Sequence, residues 1–419
     1  MQIETFFEQQ KIAVAGKTLV VATSGGPDSI ALLDLLRNYR KHHDFELVVA
    51  HFDHQLRPDS GDEVRLLEAY CQQYNLPLIN GKWPVSLHPK VGIEAAARQA
   101  RYDFLTKVAK KVGASYLLTA HHNDDLLENI LLKLLRSGNP EEMNSLQMVG
   151  EMQGVKILRP LLSYTKDHLL AYDHQAGLSY IEDQTNAEDD TLRNRLRHHV
   201  VPILKQEQAD LTENTLRFNQ QMELLTSLAQ RQMAQIAPAE RFLQTAYRAP
   251  VSALDKMTSL ERNYYWQQQL WRQQHLRLGT ALKGYLLKDY QGYEYLLPGK
   301  LPPASTPKLL ELEQAIRFRG QDFIVSEKRL SLMKVGEFCS TEAKFKFGSL
   351  PRGTKLLLKD GHHAKAKKMF AQNAIPLELR HLCLTIMTLD GTVVFVEQVY
   401  QNQQIAENAR KYYIYSKSL

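Results

Sequence analysis

Cysteine is scarce in this chain: three in 419 residues, Cys71, Cys339 and Cys383. They are widely scattered and form no C-x-x-C pair, which excludes a disulfide framework. No apolar run nears the ~18 residues needed to span a bilayer. The start, Met1-Gln2-Ile3-Glu4, is acidic where a secretory leader is basic. A soluble, cytoplasmic chain with no membrane partner is expected. Internal repeats and low-complexity tracts are missing, so solenoids are excluded. Neither sign of charge dominates: 52 Lys and Arg face 46 Asp and Glu, leaving +6. That surplus permits a polyanionic partner without requiring one.

What is present is ordinary globular composition, 44% hydrophobic and 23% charged, which excludes wholesale disorder. At ~150 residues per domain the length suggests roughly three units. Over the first two hundred residues short β-rich runs (Thr18–Ala22, Glu46–Ala50, Leu76–Ile79, Tyr116–Ala120, Val155–Leu158) alternate with helical patterns (Ser29–Arg40, Glu63–Tyr74, Ile93–Val112, Asp125–Leu135, Lys166–Ala176). Such alternation predicts an α/β fold, a doubly wound, mostly parallel sheet with helices on both faces. Beyond it come a Gln-rich amphipathic stretch, Gln206–Ala237, and a second helical one, Ser259–Leu276, whose tyrosines and tryptophans read as core. The four prolines of Pro298–Pro307 read as a linker. The expected division is 1–205 catalytic α/β, 206–300 helical, and 308–419 a small α+β part.

Three motifs leave three predicted strands. Ser24-Gly25-Gly26-Pro27-Asp28-Ser29 follows the first strand and opens a helix. Two glycines allow a tight turn and close ligand approach, and the helix amides face an anion. The hydroxyls of Ser24 and Ser29 can donate to phosphate, although no Gly-Lys-Ser/Thr closes a Walker loop. His51-Phe52-Asp53-His54-Gln55-Leu56-Arg57 leaves the second strand, and His121-His122-Asn123-Asp124-Asp125-Leu126-Leu127-Glu128-Asn129 leaves another. Alone, either His cluster can be read as an ordinary polar loop, and no cysteine accompanies either to favour zinc. Together they converge where ligands bind in open α/β sheets, outside the carboxyl ends of the strands. The glycine nest suits phosphate, and Asp28, Asp124 and Asp125 are hard oxygen donors for magnesium. The imidazoles and Arg57 can neutralise a departing pyrophosphate. That combination is nucleotide activation at phosphorus.

The Ser-Gly-Gly-x-Asp-Ser loop resembles the PP-loop ATP pyrophosphatase superfamily. The ordered set is similar to the tRNA(Ile)-lysidine synthetases. Besides the three motifs it includes Glu94-x-x-x-Arg98-x-x-Arg101-Tyr102, Arg159-Pro160-Leu161-Leu162, Asp183-x-Thr185-Asn186 with Arg193-Asn194-x-x-Arg197, and Lys365–Arg380. Departures are Asn129 for the usual Thr and Gln184 for the usual Pro. The resemblance implies that ATP adenylates C2 of the wobble cytidine of tRNA(Ile) with a CAU anticodon, and free L-lysine then displaces AMP. It implies ATP binding by Ser24, Gly25, Gly26, Pro27, Asp28, Ser29 and His51, and catalytic roles for Asp28, His121, Asp124, Asp125 and Arg98. Asp28 and Asp124 are the expected Mg²⁺ ligands. An unperturbed lysine near pKa 10.4 needs desolvation or a nearby carboxylate to attack as a neutral amine, with Asp124 or Asp125 as candidates.

Between Arg352 and Arg380 seven Lys or Arg face two Asp or Glu, which is most of the chain's excess. Phosphate contact is expected there, at Lys365, Lys368 and Arg380, and at Arg193 and Arg197. A homodimer is among the assemblies open to the chain. With only Cys71 in the α/β part, sulfur transfer is disfavoured. The competing readings are a PP-loop amidotransferase or ligase acting on a small molecule or a different tRNA base, and a non-catalytic nucleotide-sensing RNA binder.

Overall fold

A computed structural model describes residues 2–56, 61–182, 189–276, 278, 281–358, 361–403 and 407–417. Arg57 and the Asp183–Asn186 element lie outside the described residues. The chain divides into two compact units, Met1–Ala229 and Gln230–Leu419.

In the first unit, β1 (Lys17–Thr23), β2 (Phe45–Asp53), β3 (Leu78–Lys82), β4 (Tyr116–Leu118), β5 (Val149–Met152) and β6 (Val155–Leu158) form one sheet, ordered β3-β2-β1-β4-β6-β5. β1 runs parallel to β2 and β4, β2 to β3, and β4 to β6; β5 alone is antiparallel. Leu19, Val20 and Val21 are all fully buried, as a central parallel strand covered on both faces requires. Their alternation separates two cores. Leu19 and Val21 meet α1 (Ile3–Gln9), α2 (Pro27–Arg40), α3 (Gly61–Tyr74) and Leu169 of the later α7, whereas Val20 meets Tyr102, Leu105 and Val108 of α4 (Ile93–Lys111). The unit continues through α5 (Asn123–Arg136), α6 (Pro140–Met143), α7 (Lys166–Ala176), α8 (Leu192–Arg195) and α9 (Val201–Glu207). The Gln-rich stretch is broken at extended Gln208 (φ −139°, ψ 108°), and a long helix then runs Leu211–Ala234.

The second unit adds what helical periodicity did not reveal. Alongside the helix Ser259–Gln274, four antiparallel strands form a sheet: Glu240–Phe242, Ala246–Pro250, Tyr293–Pro298 and Tyr285–Tyr290. Tyr265 and Trp266 are fully buried, their polar atoms bonded to the Ala237 carbonyl (3.0 Å) and Glu294 (2.6 Å). Further on, a five-stranded and a four-stranded sheet enclose Phe323, Phe338, Ile386, Phe395 and Tyr412. The proline-rich stretch is docked rather than free: Ser305 and Ser349 exchange hydrogen bonds, and Leu301 packs on a core shared by Phe242 and Tyr295 with Phe370 and Leu379.

Candidate active site

β1 hands the chain to α2 through Ser24-Gly25-Gly26, a turn that places Gly25 in the left-handed region. Gly25 has φ +82°, and a side chain there would press on Glu63 Cβ at 3.3 Å. Pro27 occupies the first helical position, and Asp28 stands in the first turn, facing the positive helix end. The loop is tied internally. Ser29 Oγ donates to the Gly26 carbonyl (2.9 Å) and accepts from the Ser24 amide (3.1 Å), while the Ile181 amide donates to the Gly25 carbonyl (3.0 Å). Ser29 therefore shapes the loop, and the exposed Ser24 hydroxyl is the freer of the two for an anion.

Next to Thr23, His51 is fully buried at the end of β2. Its Nδ1 donates to the Thr23 carbonyl at 3.0 Å, which leaves Nε2 a buried acceptor with no partner. Burial lowers its pKa, so the ring is neutral near pH 7. Half-buried His54 is pushed down to about 4 by desolvation, with Arg101 adding to the effect.

β4 delivers the third motif to the same edge. His122 caps α5, its amide donating to Asp125 Oδ2 at 3.1 Å. Its ring touches three acids: Nε2 lies 3.7 Å from Asp28 and 3.5 Å from Asp125, and Nδ1 lies 3.7 Å from Asp124. Asp28 carries Lys166 Nζ on both oxygens, at 2.8 and 2.9 Å. Asp124 accepts the Lys166 amide at 2.8 Å on one oxygen and pairs with Lys205 Nζ at 2.6 Å on the other. Burial opposes ionisation of Asp125, but His122, His121 and Arg193 outweigh it and hold this carboxyl well below the usual range. His121 is bonded to Thr119 (2.9 Å) and pushed down to about 3 by burial, with Arg159, Arg101 and Arg98 adding to the effect.

Arg193 and Arg197, expected on RNA phosphate, turn inward. Both bind the carboxylate of Glu128, which is 1% exposed, at 2.7–3.0 Å, and Arg193 also reaches Asp125 at 2.8 Å. A buried glutamate demands such partners, so these arginines serve the site's architecture. Arg380 also has partners within the fold. It bonds to the Ile375 carbonyl (3.2 Å) and Tyr290 OH (3.1 Å) and lies over the Phe370 ring. Lys365 and Lys368 are exposed. Exposed Arg98 lies over Tyr102 together with Arg101. Asn129 ties the loop after α5 by donating to the Met143 carbonyl at 3.0 Å. Sequence reasoning missed His122, Lys166 and Lys205 as site residues. His122 stood inside the motif, whereas the two lysines sit in no motif and come together with the acids only through folding. Buried Cys71, its thiol pushed up to about 11 by burial, is unsuited to sulfur transfer.

A model of the PP-loop domain matches residues 1–204. The tRNA(Ile)-lysidine synthase of Lactobacillus johnsonii is 42% identical over 425 residues, 98% of this chain and 98% of that protein. The tRNA(Ile)-lysidine synthase of Lactobacillus gasseri is 42% identical over 428 residues, 99% of each. The chain belongs to the tRNA(Ile)-lysidine synthase family. Among solved structures, a TILS C-terminal domain is 19% identical over 27% of this chain and 98% of that one, at a TM-score of 0.23. As a tRNA(Ile)-lysidine synthase family member it is a ligase, and its PP-loop domain implies use of ATP. No described helix is long and apolar enough to cross a membrane.

Proposed function

We propose that this chain joins free L-lysine to C2 of the wobble cytidine of tRNA(Ile) with a CAU anticodon, through an adenylated tRNA. The observation that supports it best is the gathering of the PP-loop, the His51 end of β2 and the His122–Asp125 cluster on one sheet edge. In the first step the C2 oxygen attacks the α-phosphorus of ATP, and pyrophosphate leaves. In the second the ε-amine of lysine attacks C2, and AMP leaves with the bonding electrons.

The triphosphate lies against Ser24, Gly25, Gly26, Pro27, Asp28 and Ser29, where helix amides and Ser24 Oγ donate. The orphaned His51 Nε2 accepts a hydrogen from the nucleoside. Arg98 and Arg101 balance charge on the leaving pyrophosphate. Among the described residues no three His, Cys, Asp or Glu side chains are arranged to hold a metal by themselves. Magnesium asks less, taking one or two carboxylates and completing its shell with phosphate and water. Asp28 and Asp124, hard donors flanking one imidazole, fit that need. When bound there, the cation would draw electron density from the phosphates. Asp125, held strongly acidic by its neighbours, is a weak base and a good anchor for the incoming ammonium. Lys365 and Lys368 hold tRNA phosphates, in a division of 1–205 for catalysis with 206–300 and 308–419 for tRNA. The enzyme acts in the cytoplasm, and a homodimer is compatible with it.

Incubation with ATP, Mg²⁺, radiolabelled lysine and a folded tRNA(Ile) transcript tests the reading. Label should enter the tRNA only when ATP is present. Absence of label, or equal labelling of tRNAs lacking the CAU anticodon, would refute it.

A further inference from the structure

Two kinds of cation cover the acids of this edge, and they differ in physical character. Glu128 and Asp125 are held by guanidinium groups through several parallel bonds, with Glu128 at 1% exposure. Planar, multiply bonded arginines on a buried acid form a permanent fixture. Asp28 and Asp124 are held instead by ammonium groups, Lys166 at 2.8 Å and Lys205 at 2.6 Å, with side chains 36% and 34% exposed. An ammonium is a strongly hydrated point charge on a flexible stem, so such a contact is easily exchanged. These are also the two carboxylates assigned above to the nucleotide's magnesium.

We infer that Lys166 and Lys205 are resident counter-ions of that site: they neutralise Asp28 and Asp124 before nucleotide binds, give way to the divalent cation that arrives with the nucleotide, and then pair with its phosphates. The inference rests on the magnesium reading of the preceding section. The charge balances, because two ammonium groups leave the carboxylates and one dication replaces them. Unpaired, the two acids would repel each other across His122; paired with lysine, they are held in place. The Lys166 amide, bonded to Asp124 Oδ2 at 2.8 Å, is unaffected by the exchange, so the N-terminus of α7 stays anchored while its side chain swings. The Lys166 ammonium starts on Asp28, in the first turn of the helix that the glycine loop opens, and the Lys205 ammonium starts on Asp124.

Manganese binding followed by electron paramagnetic resonance on the full chain tests this without any turnover. Without nucleotide, Lys166→Gln and Lys205→Gln should each bind Mn²⁺ on the order of tenfold more tightly than wild type, because a competing cation is gone. With a non-hydrolysable ATP analogue the order should reverse, since the variants lack a phosphate partner. Lys166→Arg, which keeps a charge and clamps more firmly, should bind Mn²⁺ several-fold more weakly without nucleotide. This variant also keeps the test decisive if Lys166→Gln loses its fold. A purely structural ion pair predicts no inversion. Unchanged or weaker nucleotide-free binding in both Gln variants would overturn the inference while leaving the metal assignment standing. Absence of Mn²⁺ binding to wild type even with the analogue would overturn both.

Discussion

The acidic edge of the first unit and the basic stretch of the second treat charge in opposite ways. At the edge nearly every ionised group has a close opposite: Asp28 with Lys166, Asp124 with Lys205, and Glu128 with Arg193 and Arg197. Around Lys365 and Lys368 the lysines face solvent on a short strand and the start of a helix. Paired charges in a half-buried setting fix geometry, which chemistry at phosphorus needs. Unpaired charges in water keep their long-range field, which suits a polyanion. In the proposed reading one surplus of like charge suits grip, and one near-neutral cluster suits reaction.

The comparison breaks most visibly at Asp28. Asp28→Ala should lower tRNA-dependent pyrophosphate release on the order of 10²–10³-fold; its affinity for tRNA, measured by filter binding, should stay near wild type. Glu128→Gln comes next. Removing one partner of a buried ion network costs about 3–5 kcal/mol, so urea unfolding should show a loss of that order, and a cost under ~1 kcal/mol would mean the arginines do not depend on Glu128. Asp173 sharpens the picture from inside α7. It is fully buried, neither carboxyl oxygen has a hydrogen-bond partner, and burial, with Asp28 adding, raises it from 3.8 to about 7. The folded state therefore holds this proton more firmly than the unfolded chain. Its contribution to stability falls as pH rises from about 4 to about 7 and is flat above. Asp173→Asn should raise Tm by several degrees at pH 8 and by almost nothing near pH 4; equal gains at both would refute the assignment. The smallest effect belongs to the grip. Lys365→Ala and Lys368→Ala should each weaken tRNA binding and reduce its salt slope by about 1. Arg380→Ala should leave the slope unchanged and lower stability instead.

Strand–helix alternation made the first unit legible because its cues are local: β-branched runs, a Gly-Gly-Pro turn, and acids at helix starts. The convergence of the three motifs followed from one rule about strand ends. The sheet at Glu240–Pro298 escaped because its strands are short and lie beside a strongly helical stretch. The docked proline segment escaped because composition reports flexibility, not the Ser305–Ser349 bonds that cancel it. The partners of each charge were hidden in a similar way. Arg193, Arg197 and Arg380 look like Lys365 in a sequence, and only folding bonds their guanidinium groups to Glu128 and Tyr290. Lys166 is the reverse case, an unremarkable helix-start residue that folding sets on Asp28.

The division between reaction and grip is tested most directly by single-turnover adenylation at increasing tRNA concentration, comparing Asp28→Ala with the Lys365→Ala/Lys368→Ala double variant. At saturating tRNA the lysine variant should recover the wild-type rate with a raised half-saturation concentration, while Asp28→Ala stays slow at every concentration. A lysine variant that remains slow at saturation, or an Asp28 variant that recovers, would contradict the account.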